Sequence, residues 1–230
     1  MKKLRLGVLV SGGGTNLQSI IDHVERGVLD AEIRIVISNV PDVFALQRAQ
    51  KHNVPSAVVD HRRYSSREAF EKDLIDALRR HDVELVALAG FMRVLTPHFI
   101  RAFQQRIVNI HPALLPAFPG THVQQKALDY GVRFSGCTVH FIDDGVDTGP
   151  IIIQAVVPVL PDDTEKTLAE RILREEHKIY PQALQLIAQG KLEISGRTVR
   201  VRDHPHASQV SIINPPYSLG SPGELSKDEG

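Results

Sequence analysis

The sequence has one cysteine, no net charge and no long apolar run, and each of these shortages excludes a class of protein. Cys137 cannot form a disulfide within the chain, which excludes a small disulfide-stapled module. The 27 Lys+Arg and 27 Asp+Glu residues balance, so no excess charge draws the chain onto nucleic acid or an anionic membrane. No apolar run reaches the roughly 18 residues of a membrane-spanning helix. We therefore expect a globular protein with neither a nucleic-acid nor a membrane partner.

The chain length limits the number of domains, and the N-terminal segment indicates where the protein resides. With 230 residues, 42% hydrophobic and 23% charged, the chain can form one generous domain or two small ones with a substantial core. Lys2 and Lys3 are basic, but the apolar run after them ends at Val10 and three glycines follow almost at once. This pattern is typical of a first strand and not of a signal peptide, so we expect a cytoplasmic protein.

Short runs rich in Val and Ile recur in the first half of the chain and predict a parallel sheet. They lie about 25 residues apart, at 4–10, 33–37, 57–59, 85–89 and 107–110, and segments with helical periodicity follow most of them. The clearest predicted helix is 67–80, where Phe70, Leu74, Ile75 and Leu78 form one apolar stripe. Alternating strands and helices predict a sheet with helices on both faces.

The alternation of predicted strands and helices ends after residue 110. Two extended runs, 134–142 and 151–159, flank an acidic turn and predict an antiparallel hairpin added to the sheet. A long helix is predicted over 164–189, bent or interrupted at Pro181 and ended by Gly190, and 191–201 suits a small hairpin. We expect an α/β domain over 1–202 and a poorly ordered tail over 203–230, where Pro, Gly, Ser and His abound.

A glycine-rich turn, Ser-Gly-Gly-Gly-Thr-Asn-Leu at 11–17, links the first strand to the first helix. Backbone N–H groups at a helix start suit a phosphate, and Thr15 and Asn16 add polar side chains next to Gly14. The turn lacks the lysine of a Walker loop and has Leu17 where a dinucleotide fingerprint needs glycine, so a single phosphomonoester is favoured. The alternative is a tight turn in which Thr15 or Asn16 caps the helix.

Asn109 and His111 interrupt an apolar run at the end of a predicted strand. Residues two apart on a strand project from the same face, about 7 Å apart along it. Because ligands in open α/β sheets bind at the carboxyl ends of strands, this amide and this imidazole lie where chemistry is expected. The alternative is a pair that merely caps the next segment.

The acidic segment 143–150 offers Asp147 as a partner for His111. A carboxylate beside the imidazole would raise its pKa and fix its orientation. The segment lacks the spacing of a calcium loop and no His/Cys cluster accompanies it, so we expect no metal; a plain solvated turn remains the alternative. Cys137 lies within a predicted strand and is expected to be a buried small residue. Without a nucleophile, the polar residues suit direct transfer to a substrate that brings its own.

Glu176 lies on the apolar stripe of the long C-terminal helix. It follows Leu168 and Ile172 and precedes Ile179 at spacings of four, four and three residues, which places it on the inward face. A buried carboxylate is costly unless it meets a cation or hydrogen-bond donors, so Glu176 is a candidate for holding an ammonium or amide of a substrate. An internal salt bridge is the alternative.

These segments, in this order, resemble the glycinamide ribonucleotide formyltransferases, the folate-dependent transformylases of purine synthesis. The resemblance covers about residues 4–202. Asn-x-His with a later Asp is shared by all folate formyltransferases, whereas the glycine turn ending in Thr-Asn and the segment Glu-His-Lys-Ile-Tyr-Pro at 176–181 are more specific. The other matching stretches are Ser-Arg-Glu-Ala-Phe at 66–70, Leu-Ala-Gly-Phe-Met-Arg-Val-Leu at 88–95, Asn-Ile-His-Pro-Ala-Leu-Leu-Pro at 109–116, Pro-Gly-Thr-His at 119–122, Thr-Val-His-Phe at 138–141 and Asp-Thr-Gly-Pro at 147–150.

The resemblance implies a Rossmann-like fold, two small-molecule substrates and a role for each motif. The cosubstrate is 10-formyltetrahydrofolate, with no metal, and the protein is a monomer or homodimer. The implied catalytic residues are Asn109, His111 and Asp147; the ribonucleotide is held by Gly14, Thr15, Asn16 and, at its glycinamide end, Glu176; the folate is held by Arg67, Met92, Arg93, Val94, Leu95, Asn109, Asp143, Asp144, Gly145, Val146 and Asp147. The Leu115–Pro116 bond is expected to be cis.

Three alternatives stay open on the sequence. A formyltetrahydrofolate hydrolase would use water as acceptor and would usually carry an additional N-terminal domain. A methionyl-tRNA formyltransferase would be expected to have a C-terminal domain and a basic surface. A phosphate-binding module without activity would not be expected to carry Asn109, His111 and Asp147 together.

Overall fold

Within residues 3–203, nine strands form a single sheet flanked by six α-helices. The computed structural model describes residues 3–203 and residue 214. In chain order the elements are β1 (Leu4–Val10), α1 (Thr15–Glu25), β2 (Ala31–Ser38), α2 (Phe44–Lys51), β3 (Ser56–Val58), a 3₁₀ turn (His61–Arg63), α3 (Arg67–Arg80), β4 (Leu85–Leu88), α4 (Pro97–Ala102), β5 (Ile107–His111), α5 (Val123–Tyr130), β6 (Phe134–Phe141), β7 (Ile151–Pro158), α6 (Glu165–Ala188), β8 (Leu192–Ser195) and β9 (Thr198–Val201).

The strand order is β3-β2-β1-β4-β5-β6-β7-β9-β8. The first five strands in the chain are parallel, as their Val/Ile rhythm predicts. β6 then pairs antiparallel with β5 and with β7, and the small hairpin β8–β9 joins β7 at the far edge. The predicted fold class, a mostly parallel sheet with an antiparallel hairpin, is confirmed.

The sheet separates two apolar cores, because side chains of a central strand point alternately to its two faces. On β1, Leu6, Val8 and Val10 pack on the face covered by α1, α2, α5 and α6, whereas Leu9 packs on the face covered by α3 and α4. Helix α3 has the predicted bounds, and its Ser66 side chain accepts the backbone N–H of Ala69. The helices on both faces leave the carboxyl ends of the strands open for a site.

The prediction for Pro181 is a bend or an interruption of the long helix, and helix α6 is not interrupted there. A proline within a helix has no N–H for the carbonyl four residues earlier, which here belongs to His177. The hydroxyl of Ser19 on α1 donates to that carbonyl at 2.7 Å. A neighbouring helix therefore supplies the hydrogen bond that Pro181 cannot, which sequence periodicity does not reveal.

Two further expectations concern the chain ends. The hairpin predicted over 191–201 is confirmed as β8–β9, with Gly196 at a positive φ in its turn. The tail predicted from residue 203 lies, apart from Asp203 and Asn214, outside the described residues. No helix in the described part of the chain combines the length and apolar character of a membrane span.

Removing the hydroxyl that compensates Pro181 should destabilise the fold. We expect Ser19→Ala to lower the free energy of unfolding by about 1 kcal/mol, because a part-buried carbonyl loses its donor. In a Pro181→Ala background, the backbone at this position regains an N–H that can donate to the carbonyl of His177, so the same change should cost less. Urea unfolding of the four proteins measures both costs; equal costs in the two backgrounds would show that the Ser19 hydroxyl acts elsewhere.

Candidate functional site

A cavity of about 550 Å³ opens at the carboxyl ends of β4 and β5. Open α/β sheets bind their ligands at this edge. Loop 90–95 forms one wall, the start of α5 another, and the acidic segment after β6 a third. The lining residues include Phe91, Met92, Arg93, Val94, Leu95, Asn109, His111, His122, Asp143, Gly145, Val146 and Asp147. Most residues that the resemblance assigns to folate binding therefore share one cavity.

Asn109, His111 and Asp147 come together on the inner wall of this cavity. Asn109 and His111 lie on β5, two residues apart as predicted. Strand β6 runs back beside β5, so the segment that follows it brings Asp147 to the same place. The Oδ2 atom of Asp147 lies 3.4 Å from Nδ1 of His111, and the side chain of His111 is only 5% exposed. The structure thus joins the three residues whose roles the resemblance implies.

Both ring nitrogens of His111 face acceptors. Nδ1 faces the carboxylate of Asp147, and Nε2–H donates to the carbonyl of Phe118 at 2.9 Å. Each ring nitrogen therefore has an oxygen acceptor in front of it, which fixes the orientation of the ring. The loop that carries Phe118 also bonds to the carboxylate, because the backbone N–H of Gly120 donates to Oδ2 of Asp147 at 2.8 Å. Loop 118–120 therefore contacts both His111 and Asp147.

The segment that carries Asp147 is fixed by backbone constraints. Asp147 has a φ of 55°, a conformation that aspartate adopts more readily than most residues. A Cβ atom at Gly149 would lie 1.8 Å from the carbonyl oxygen of Phe141, so only glycine allows this close return to β6. Asp143 accepts from the hydroxyl of Thr148 at 2.6 Å and from the N–H of Gly145 at 3.1 Å, which braces the turn. These contacts fix the backbone that carries Asp147, while Asp144, Gly145 and Val146 beside it are exposed.

His140 is a member of this cluster that sequence reasoning missed. It lies on β6 directly opposite Asn109 and is fully buried. Its Nε2 atom is 3.3 Å from the side-chain nitrogen of Asn109 and 3.7 Å from Oδ1 of Asp147. His140 belongs to the Thr-Val-His-Phe stretch that the resemblance matched. Its position opposite Asn109 depends on the strand register, which the sequence alone does not determine.

The mouth of the cavity is apolar and unusually exposed. Met92 is 67% exposed, and Val94 and Val146 are also exposed large hydrophobic residues. Exposed apolar side chains gathered around a cavity mark a binding site for an apolar or aromatic group. Two residues assigned to folate binding by the resemblance are not in its lining. Arg67 is exposed at the first turn of α3, and Asp144 lies in the acidic segment outside the lining, so their roles stay predictions.

The glycine turn adopts the tight geometry that its sequence predicts. Gly14 has a φ of 70°, and a Cβ atom there would lie 2.6 Å from the Cβ of Ala45. Neither Thr15 nor Asn16 caps helix α1 with its side chain, so the capping alternative is wrong. Arg48 on α2, which the sequence did not single out, donates its Nε–H to the carbonyl of Gly13 at 2.9 Å. The turn therefore combines backbone N–H donors of a helix start with an adjacent cation.

Asn16 and Glu176 meet at the inner end of this turn. The side-chain nitrogen of Asn16 donates to Oε2 of Glu176 at 2.7 Å, and both residues are buried. Burial raises the pKa of the Glu176 carboxyl, an effect that the bond from Asn16 partly opposes. Oδ1 of Asn16 is buried with no hydrogen-bond partner. The salt bridge considered for Glu176 is absent among the described residues, and the pair presents acceptors that suit hydroxyl or ammonium donors of a ligand.

Ser11 joins the glycine turn to the wall of the cavity. Its hydroxyl donates to Oδ1 of Asn39 and accepts the backbone N–H of Met92 at 2.8 Å, while its own N–H donates to the carbonyl of Gly90 at 3.1 Å. The predicted phosphate turn and the predicted folate loop are therefore direct neighbours.

Three other expectations concern Cys137, a bound metal and the Leu115–Pro116 bond. Cys137 is buried as expected, and burial raises the pKa of its thiol to about 12, which makes it a poor nucleophile. Within the described residues, no group of three or more His, Cys, Asp or Glu side chains could hold a metal ion. The Leu115–Pro116 bond is cis, as the resemblance implied.

Comparison with known proteins identifies relatives of the chain. The family model described as formyl transferase matches residues 4–184. The phosphoribosylglycinamide formyltransferase of Escherichia coli (strain K12) is 39% identical over 191 residues, which are 83% of this chain and 90% of that protein. The trifunctional purine biosynthetic protein adenosine-3 of Drosophila melanogaster is 48% identical over 196 residues, but the chain spans only 14% of its length.

A solved structure shows the same fold. The crystal structure of glycinamide ribonucleotide transformylase 1 from Symbiobacterium toebii superposes with a TM-score of 0.87 and 50% sequence identity. The match covers 88% of this chain and 95% of that chain. The resemblance drawn from the sequence motifs is confirmed.

The buried carboxylate of Glu176 should cost stability at neutral pH. Below its usual pKa of about 4.5, Glu176 is protonated whether the chain is folded or unfolded, so wild type and Glu176→Gln should be nearly equally stable. As the pH rises above this value, wild type should lose stability relative to the variant, because its folded carboxyl holds a proton that the unfolded one has released. Thermal unfolding from pH 4 to 8 measures the difference.

The matched control is Glu175→Gln, on the same helix but partly exposed and paired with Lys178 at 2.8 Å. As one half of a surface ion pair, it should change stability little. If Glu176→Gln were less stable than wild type at pH 7, Glu176 would stabilise the fold as an ion.

Proposed function

The chain belongs to the formyl transferase family, and from this premise and the geometry of its site we propose that it transfers the formyl group of 10-formyltetrahydrofolate to the amine of glycinamide ribonucleotide. The products are formylglycinamide ribonucleotide and tetrahydrofolate, a step of de novo purine synthesis. The observation that carries the proposal is the meeting of Asn109, His111 and Asp147 in a cavity that adjoins a phosphate-type turn.

The glycine turn suits the phosphate end of the ribonucleotide. Backbone N–H groups of the first turn of α1, at Thr15 and Asn16, have no partners within the helix and are free to bind a phosphate oxygen. Arg48 adds a positive charge beside Gly13. The acceptors on Asn16 and Glu176 then take hydroxyl or amine hydrogens of the same ligand, which supports the assignment of Glu176 to ribonucleotide binding.

The larger cavity suits the pterin of the folate. Met92, Val94 and Val146 provide an apolar mouth, and a cavity of about 550 Å³ lies within the usual range for small-molecule sites. The backbone of the braced segment 143–147 offers polar groups beside them. The ring would lie against this wall with its formyl group directed to Asn109.

The transfer itself needs an oxyanion site and a route for one proton. The amine nitrogen attacks the formyl carbon, and the carbonyl oxygen gains negative charge that N–H donors of Asn109 and His111 stabilise. As the carbon–nitrogen bond to the folate breaks, the departing nitrogen takes up a proton and the amine loses one. His111, oriented by Asp147, is the group positioned to relay this proton.

The contact between His111 and Phe118 has a consequence for this step. The Nε2–H that would stabilise the formyl oxygen is bonded to the carbonyl of Phe118 in the described conformation. The substrate oxygen must therefore replace this carbonyl, while Asp147 keeps its contact with Nδ1. We propose that loop 118–120 gives up these contacts as the substrates bind.

The remaining expectations belong to this proposal and stay predictions: a cytoplasmic location, small-molecule substrates without nucleic acid, a monomer or homodimer, and no metal. The chief rival, a formyltetrahydrofolate hydrolase, uses water as the acceptor. Mixing the protein with 10-formyltetrahydrofolate, with and without glycinamide ribonucleotide, distinguishes the two. Deformylation that requires the ribonucleotide supports the transferase, deformylation without it supports the hydrolase, and no turnover contradicts both.

Removing an oxyanion donor should slow turnover more than it weakens binding. We expect Asn109→Ala and His111→Ala each to lower kcat by about 10²–10³-fold, with KM values for both substrates changed little. Steady-state kinetics at saturating concentrations of both substrates measures this. Gln124→Ala, a change at another lining residue, is the control and should leave kcat near wild type. A near-normal kcat in either variant would refute the assigned roles.

The two binding regions should be separable by mutation. We expect Asn16→Ala to raise the KM for the ribonucleotide, because it loses the contacts around Glu176, and to leave the KM for the folate nearly unchanged. Met92→Ala should do the reverse, since it removes an exposed apolar contact at the cavity mouth. Kinetics with each substrate varied in turn tests both; an unchanged ribonucleotide KM in Asn16→Ala would contradict the assignment of the glycine turn.

A further inference from the structure

We propose that His140 is a positioning residue that fixes the orientation of the Asn109 side-chain amide by accepting one of its N–H groups. The role rests on the proposed function, in which Asn109 stabilises the formyl oxygen. His140 does not line the cavity and so acts through Asn109 rather than on the substrate.

Strand pairing places the two residues side by side. Asn109 on β5 and His140 on β6 are opposite each other in the antiparallel ladder, where facing side chains are close neighbours. Nδ2 of Asn109 lies 3.3 Å from Nε2 of His140. His140 has no surface exposed to bulk solvent.

The other ring nitrogen determines which form of His140 is present. Nδ1 lies 2.9 Å from the carbonyl oxygen of Phe141, which can only accept, so Nδ1 carries a hydrogen. In the neutral ring Nε2 then has a lone pair and can accept the Asn109 N–H. The backbone of β6 thereby selects the tautomer that holds Asn109.

The surroundings keep the ring neutral. Burial is the largest influence and lowers the pKa of His140. The carbonyl of Phe141 and the carboxylates of Asp147 and Asp143 oppose this effect, while His111 adds to it. In the neutral ring Nε2 has no hydrogen to donate to the Asp147 carboxylate, which lies 3.7 Å away. Asp147 therefore remains available to His111.

This contact matters because an amide has two ends of opposite polarity. With one Nδ2 hydrogen held by His140, the second hydrogen of the same nitrogen remains for the formyl oxygen. Without His140, the Asn109 amide is free to rotate by about 180° and to present its own oxygen, which repels a developing oxyanion. Preorganised donors of this kind stabilise a transition state because they need no reorientation during the reaction.

A double-mutant cycle tests the inference. His140→Leu removes the acceptor, and we expect kcat to fall about tenfold or more with both KM values little changed. His140→Gln restores a side-chain acceptor and should recover part of the loss. In an Asn109→Ala background, His140→Leu should cause no further loss of kcat, because no amide remains to be oriented. A full additional loss in that background would assign His140 a role of its own.

Nitrogen NMR of the wild-type ring provides a second test that needs no turnover and no variant. With ¹⁵N-labelled histidine, we expect Nδ1 of His140 to be protonated and Nε2 to be unprotonated from pH 6 to 8. Protonated Nε2 would overturn the inference even if the enzyme is active. If ribonucleotide-dependent turnover is absent, the proposed function fails, while the nitrogen shifts still determine whether His140 can accept from Asn109.

Discussion

The antiparallel pairing of β5 with β6 is the constraint on which the candidate site depends. It places an antiparallel strand beside the last of the five parallel strands, so that one strand brings Asn109 and His111 to the cavity and the chain leaving its neighbour brings Asp147. The same pairing sets His140 against Asn109. A register shift of one residue would turn these side chains to the opposite face of the sheet. The register of β5 and β6 therefore determines which side chains lie at the site.

The site carries groups that are costly for the folded chain alone. Glu176 is a buried acid, Asn16 has a buried acceptor without a partner, and Asp147 holds a positive φ. Hydrophobic side chains such as Met92 remain exposed at the cavity mouth. A ligand that supplies hydrogen-bond donors would satisfy Asn16 and Glu176, and an apolar ring would cover Met92. These unfavourable groups are therefore concentrated where two substrates are proposed to meet.

Much of the fold could be predicted because its signals are local. The Val/Ile rhythm, the amphipathic stripe of α3 and the turn residues of the hairpins each act over a few residues. The glycine turn and the Asn-x-His pair could be found for the same reason. The features that the sequence did not predict depend on contacts between residues distant in sequence. The hydroxyl of Ser19 donates to the carbonyl that Pro181 leaves without a donor. Strand register brings His140 to Asn109, and Arg48 contacts the glycine turn from another helix.

The proposed mechanism requires the formyl carbon to lie within reach of the bound amine, with its oxygen beside the donors of Asn109 and His111. The most direct measurement is a crystal structure of the protein with glycinamide ribonucleotide and a folate analogue whose formyl group cannot be transferred. In that complex we expect the amine nitrogen to lie about 3–3.5 Å from the formyl carbon, with Nδ2 of Asn109 at hydrogen-bond distance from the formyl oxygen. A phosphate bound away from the glycine turn, or a formyl group out of reach of both Asn109 and His111, would contradict it.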